Sequence, residues 1–280
     1  MKRKEVQRTI RHDHQPPLLA LLERQRLDEI LSACRDKDVV QNRWGLGRRL
    51  VTGRGISVLF DGPPGTGKTL AAEIIAQTLD RPLYRVHIPN VVSKWVGETE
   101  KNIAEVFSRA ASTLAVLLFD EADSLFSKRT TDVKSSNDRY ANQEVNLLLQ
   151  EIERYTGIVI LTTNLFGGLD DALKRRIQYR ISFPMPGPEE RARIWERLVP
   201  GEAPISADVD FQALARTFEF AGGNIKNAIV RACYRAYGDG GRLTQGHLVA
   251  AGRVECESAG MVVREWSGRS SASRVLPRPA

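Results

Sequence analysis

Residues 61–69, Asp-Gly-Pro-Pro-Gly-Thr-Gly-Lys-Thr, fit the phosphate-loop spacing G-x-x-x-x-G-K-[ST] and directly follow the apolar run 56–60. Glycines at 62, 65 and 67 permit backbone angles that aim successive N–H groups at phosphate oxygens. Lys68 adds a cation for the β- and γ-phosphates, and Thr69 offers a hydroxyl to Mg2+. The stretch Gly62, Pro63, Pro64, Gly65, Thr66, Gly67, Lys68, Thr69 and Leu70 is therefore expected to bind a nucleoside triphosphate. A turn that merely joined strand to helix would need neither Lys68 nor Thr69 at the helix start. Farther along, the apolar run 115–119 ends in Asp120 and Glu121. Carboxylates at the C-terminal end of such a strand sit where open α/β sheets bind ligands. Asp120 can hold the Mg2+ shell, and Glu121 can polarise a water for attack on the γ-phosphate. Asp123 reads only as a helix-start residue.

A parallel sheet is the scaffold these groups require. Short β-prone runs at 56–60, 83–88, 115–119, 158–163 and 180–183 alternate with helical patterns, the βαβ rhythm of an α/β fold. Leu70, Ile74, Ile75 and Leu79 mark one helical face. Ile103, Val106, Phe107 and Ala110 mark a second, and Val145, Leu148, Leu149 and Ile152 a third. An earlier helical pattern runs over 18–40. After the proline-rich stretch 184–188 the strands stop, and helical patterns at 189–199, 210–218, 223–237 and 244–252 predict a second, all-helical unit. The expected division is a basic, unstructured extension over 1–24, a nucleotide-binding α/β domain over 25–185, a helical domain over 186–255 and a basic tail over 256–280.

The 280 residues carry 41 Lys and Arg against 34 Asp and Glu, a net charge of +7. Lys2, Arg3, Lys4, Arg8 and Arg11 crowd the start, and Arg264, Arg269, Arg274 and Arg278 punctuate the tail. Such arms could hold phosphate backbones or acidic protein surfaces. No interleaved aromatic residues or recognition helix accompany them, so solvated termini are the simpler expectation. Three widely spaced cysteines, Cys34, Cys233 and Cys256, form no metal-ligand pattern and no disulfide framework. No apolar run reaches the roughly 18 residues of a membrane span. A cytoplasmic setting with no membrane partner is the resulting expectation.

The motifs taken in order resemble those of AAA-type ATPases, the AAA+ class of phosphate-loop machines. They are Gly62 to Thr69, Ser93 to Lys101, Phe119 to Asp123, Thr162-Thr163-Asn164, Leu169 to Arg176, and Ala221 to Ile225. The resemblance covers roughly residues 25–255. It implies a parallel sheet of strand order 5-1-4-3-2 with a C-terminal all-helical lid, ATP and Mg2+ as ligands, and a homo-oligomeric ring, usually a hexamer, with ATP at the subunit junctions. On this likeness Asn164 is a sensor for the γ-phosphate and attacking water. Arg175 and Arg176 are arginine fingers, one of them reaching into a neighbouring subunit's site. Trp95, Val96 and Gly97 match the aromatic-hydrophobic-glycine loop with which many members grip polypeptide in the central pore, and the polar stretch 128–142 is expected as a second loop near it.

Two departures qualify the likeness. Gln150 to Tyr155 runs directly into Thr156-Gly157 with no Asp-Gly-Phe-like signalling segment. Gly222-Gly223-Asn224 offers no arginine as a lid sensor, leaving Lys226 as a weak contact. The wording of 42–48, 138–144 and 222–227 is similar to that of bacterial ATPases found with contractile, phage-tail-like injection systems. The expected activity is Mg2+-dependent ATP hydrolysis in a ring, coupled to remodelling or threading of a protein client. A nucleotide-gated assembly scaffold and a nucleic-acid motor or loader, the latter supported by charge alone, are the alternatives.

Overall fold

The central sheet-forming runs, 56–60, 115–119 and 158–161, are apolar on both faces, so these strands must be covered from both sides, and a parallel sheet between helical layers meets that demand. The computed structural model describes residues 7–8, 24–87, 98–123, 146–164 and 175–261. Within them lie strands β2 (Ile56–Asp61), β3 (Leu83–His87), β4 (Val116–Asp120), β5 (Ile158–Thr163) and β6 (Tyr179–Ser182). They pair in parallel in the spatial order β3-β4-β5-β2-β6. Counted from β2 as the first, this is the 5-1-4-3-2 order implied by the resemblance. Two residues of the stretch expected to be unstructured, Gln7–Arg8, form a further strand, β1, antiparallel to β3, with Gln7 opposite Arg85 and Arg8 opposite Tyr84. β3 is the edge of the parallel sheet, and its outward N–H and C=O groups accept a short extended segment there.

Alternation along the strands builds two apolar layers. Leu59, Leu117, Phe119, Val159 and Leu161 face helix α4 (Glu98–Thr113) and the helical residues 146–154, α5. They pack with Ile103, Phe107, Leu148 and Ile152. On the opposite face Val58, Phe60, Leu118 and Ile160 pack with Leu27 and Ile30 of helix α1 (Arg24–Asp38) and with Ala71 and Ile75 of helix α3 (Lys68–Thr78). Each fully buried Leu, Ile or Phe contributes roughly 1.5–3 kcal/mol. The two layers therefore fix strand register far more firmly than the two-residue β1 ladder can. Between α1 and β2 the chain makes a π-helical turn, Val39–Arg43, and a one-turn helix α2, Leu46–Arg49, neither of which the sequence periodicity announces.

The chain divides into two units, 1–184 and 185–280. The second is helical in its described part: α6 (Pro188–Leu198), α7 (Phe211–Thr217), α8 (Gly222–Gly238) and α9 (Gln245–Ser258), with one isolated parallel bridge between Ile205 and Leu243. Its centre is aromatic. Trp195, Phe218 and Phe220 are fully buried, and the Phe218 and Phe220 rings stack at 5.1 Å. Buried Glu255 of α9 accepts hydrogen bonds from the amides of Asn224 and Asn227 on α8, each at 3.1 Å. This satisfies a carboxylate that would otherwise be costly to bury. Asn224, part of a motif first read as a lid feature, thus has a packing duty of its own.

Candidate functional site

Helix α3 begins without a side-chain cap and with no acidic residue in its first turn. By contrast α7 is capped by Asp210, which accepts from the Ala213 N–H at 2.9 Å, and α9 by Thr244, which accepts from His247. The first N–H groups of α3 are thus left for an external acceptor, and the helix dipole favours an anion. The loop ahead of α3 turns through positive φ at Gly62 (143°), Gly65 (76°) and Gly67 (105°). That backbone conformation faces N–H groups into a concavity. The Thr66 hydroxyl donates to the Pro63 carbonyl at 2.8 Å and braces the loop from within.

Lys68 is buried and its ammonium donates to the Gly62 and Pro63 carbonyls at 2.7 and 2.8 Å and to the Asn164 amide oxygen at 2.9 Å. Burial pulls its pKa below the ordinary lysine value, opposed by the carboxylates of Asp123, Asp120 and Asp61. The Lys68–Asn164 bond brings together residues from the starts of α3 and the end of β5, two of the groups singled out in the sequence. Thr69 completes the approach to β4: its hydroxyl lies 3.3 Å from both carboxylate oxygens of Asp120. Asp120 is buried and also accepts from the Thr162 hydroxyl at 2.5 Å. Strand β4 ends at Asp120, and Glu121 is exposed in the following turn with φ +55°. A glutamate held in the left-handed region is a local cost of order 1–3 kcal/mol, of the kind that collects at functional sites. The Glu121 N–H donates to the Thr162 hydroxyl at 3.1 Å, which ties the turn to β5.

Three features escaped the sequence reading. Asp123 does more than begin a helix: its carboxylate accepts from the Thr163 hydroxyl and from the Asn164 N–H at 3.0 Å, so it sets the end of β5 where Asn164 projects. Arg85 of β3 forms an ion pair with Asp120. Asp120 is the buried member of this pair, and a buried carboxylate calls for a counter-charge; Arg85, half-exposed in β3, supplies one. Finally, Asp61 is fully buried at the end of β2 and accepts from Arg180 Nε of β6 at 2.6 Å. An aspartate closing a strand of apolar residues carried the same signal.

The two arginines that end the Leu169 to Arg176 motif differ. Arg175 is exposed. Arg176 is half-buried, its guanidinium 2.5 Å from the Glu153 carboxylate, and its carbonyl accepts from the Ser57 hydroxyl at 2.9 Å. Trp95, Val96 and Gly97, the stretch 128–142 and residues 165–174 lie outside the described residues.

The donor set suits the expected ligands. The Thr69 hydroxyl and the Asp120 carboxylate are hard oxygen donors within reach of one another, as Mg2+ prefers, and such an ion draws the remainder of its shell from water and phosphate. The uncapped start of α3, the left-handed glycines and Lys68 suit the phosphates themselves. Gly62 cannot be enlarged: a Cβ there would lie 2.1 Å from the Phe183 carbonyl oxygen, at a φ of 143°. Gly62→Ala is expected to lose about 1–3 kcal/mol of stability from backbone strain alone. Nucleotide affinity should fall at least roughly tenfold. Thermal melting and titration with a fluorescent ADP analogue check the two effects separately.

Residues 58–185 match the model of the ATPase family associated with various cellular activities (AAA). The chain is 34% identical over 194 residues to the proteasome-activating nucleotidase of Aeropyrum pernix, covering 66% of this chain and 47% of that protein. It is 38% identical over 145 residues to fidgetin-like protein 1 of Drosophila melanogaster, 51% of this chain and 28% of the relative. The ribosome biogenesis ATPase RIX7 of Saccharomyces cerevisiae is 36% identical over 167 residues, 57% of this chain and 20% of the relative. The matches thus span less than half of each relative's own length. Family match, sheet order and phosphate-loop geometry agree: this chain carries an AAA ATPase domain, with relatives among the AAA+ ATPases.

Proposed function

We propose that this protein hydrolyses ATP in a homo-oligomeric ring, a hexamer, and couples turnover to remodelling or threading of a protein client. The observation that carries the reading is the hydrogen-bonded set Lys68–Asn164 and Thr69–Asp120–Thr162 at the C-terminal ends of β2, β4 and β5, with Glu121 exposed beside it. Lys68 and the α3 N-terminus hold the phosphates of ATP. Thr69 and Asp120 hold Mg2+, which when bound neutralises phosphate charge and orients the terminal phosphate. The Glu121 carboxylate accepts a proton from the attacking water. Asn164 orients that water through a neutral amide that leaves the charge of Glu121 intact. Arg175 reaches a neighbouring subunit's site, while Arg176 stays bound to Glu153 of its own chain.

A protein client is supported by the likeness of Trp95-Val96-Gly97 to a pore loop and by a relative whose name couples a nucleotidase to the proteasome. Placement within a contractile injection-type assembly rests on the wording of 42–48, 138–144 and 222–227 alone. ATP hydrolysis measured against protein concentration, with particle size followed in parallel, tests the ring. Specific activity should rise steeply as the ring forms. Activity per chain that is independent of concentration, with the protein monomeric throughout, would sink the ring mechanism.

A further inference from the structure

A cavity lies at the end of the sheet opposite the phosphate loop. It has a volume of about 570 Å³ and lies among α1, the π-helical turn, α2 and the segments that lead into β3 and β5. Arg81 and Thr156, two of its lining residues, precede β3 and β5 by two residues each, whereas the phosphate loop follows the C-terminal end of β2. The length of a six-residue strand, about 20 Å at ~3.3 Å per residue, therefore separates the two.

Its chemistry is one-sided. Arg35, Lys37, Arg48, Arg54 and Arg81 line it against a single carboxylate, Asp38, which is already engaged by the Asn42 amide. Lys37 donates to the Thr156 carbonyl and Arg54 Nε to the Leu50 carbonyl at 3.1 Å; neutral carbonyls do not cancel these charges, and Asp38 offsets that of Lys37 only in part. Crowding is felt: burial, and then the nearby Arg81 guanidinium, lower the Lys37 pKa. A cluster of like charges gathered around a concavity is relieved by an anion, and guanidinium forks match carboxylates and phosphates in geometry.

The surroundings choose between them. In sequence, Trp44, Leu46 and Val51 stand between lining residues, and all three are exposed, Val51 at 94%. Aliphatic side chains next to one aromatic residue suit the apolar side chains of a polypeptide. Single-stranded nucleic acid instead needs successive stacking platforms along a basic track. We infer that this cavity is an anion-binding site separate from the phosphate loop, and that it docks an acidic, leucine-bearing segment of a partner protein.

Titration of the full chain with a fluorescein-labelled peptide alternating glutamate and leucine, read by anisotropy, tests this. Expected are micromolar binding that weakens with salt, no displacement by excess Mg–ADP, and no binding of the same peptide with glutamine for glutamate. Arg35→Glu/Arg48→Glu, at two exposed positions, should weaken the peptide at least roughly tenfold while a fluorescent ADP analogue still binds. If that variant loses ADP binding through misfolding, Arg48→Gln alone should still weaken the peptide severalfold. Absence of peptide binding, equal binding by the variants, or displacement by Mg–ADP would overturn the inference. So would displacement by an oligothymidylate at lower concentration than by unlabelled peptide, because it would assign the cavity to phosphates.

Discussion

Glu121→Gln is expected to slow ATP turnover by roughly 10²–10⁴-fold, the range for removal of a positioned general base, while nucleotide binding stays within about twofold of the wild type. The amide is isosteric with the carboxylate but takes no proton at neutral pH. Glu121 is also exposed, and its N–H secures the turn to Thr162 at 3.1 Å, a main-chain bond that glutamine keeps. The φ of +55° is a property of the backbone that glutamine shares. Phosphate release and equilibrium binding of a fluorescent ATP analogue separate the two quantities. Turnover preserved in the glutamine variant would remove Glu121 from the chemistry and move the base elsewhere.

Arg175→Ala should cost about 10³-fold or more in turnover, the scale of an arginine finger, and Arg176→Ala should not. The Arg176–Glu153 pair is partly exposed on both sides, at 32% and 29%. Its loss is worth only about 0.2–1 kcal/mol of stability after solvent screening. Mixing decides whether the finger acts between subunits. Arg175→Ala chains keep Glu121, and Glu121→Gln chains keep Arg175, so a mixture of two inactive proteins should regain activity at the junctions that pair one intact element from each. No recovery on mixing, with ring formation intact, would confine Arg175 to its own chain. A turnover defect in Arg176→Ala equal to that of Arg175→Ala would reverse the assignment.

What the sequence revealed and what it hid follow from the range of the interactions. The central strands were legible because a buried parallel strand is a continuous apolar run, and residues 116–119 and 158–161 are such runs. The phosphate loop was legible because its glycines, lysine and threonine act within one local turn. Asp123 was read as a helix start because its partners, Thr163 and Asn164, are some 40 residues away in sequence and adjacent only once β4 and β5 pair. Arg85 was hidden for the same reason: its partner Asp120 belongs to the next strand, opposite His87 rather than Arg85 in the register. The π-helical turn Val39–Arg43 has no periodic signature in five residues, and with it the basic cavity went unseen, since its cations come from segments as distant as Arg35 and Arg81.

Asp61 and Phe183 have a mechanical consequence. The Phe183 N–H donates to the Asp61 carbonyl at 2.7 Å, the Asp61 carboxylate accepts from Arg180, and the Phe183 backbone lies against Gly62. The root of the phosphate loop cannot shift without carrying the end of β6 or breaking a buried main-chain bond. Two residues past Phe183 the second unit begins. Displacement of the loop is thus carried to the C-terminal end of β6 by one main-chain hydrogen bond and by the Asp61–Arg180 ion pair.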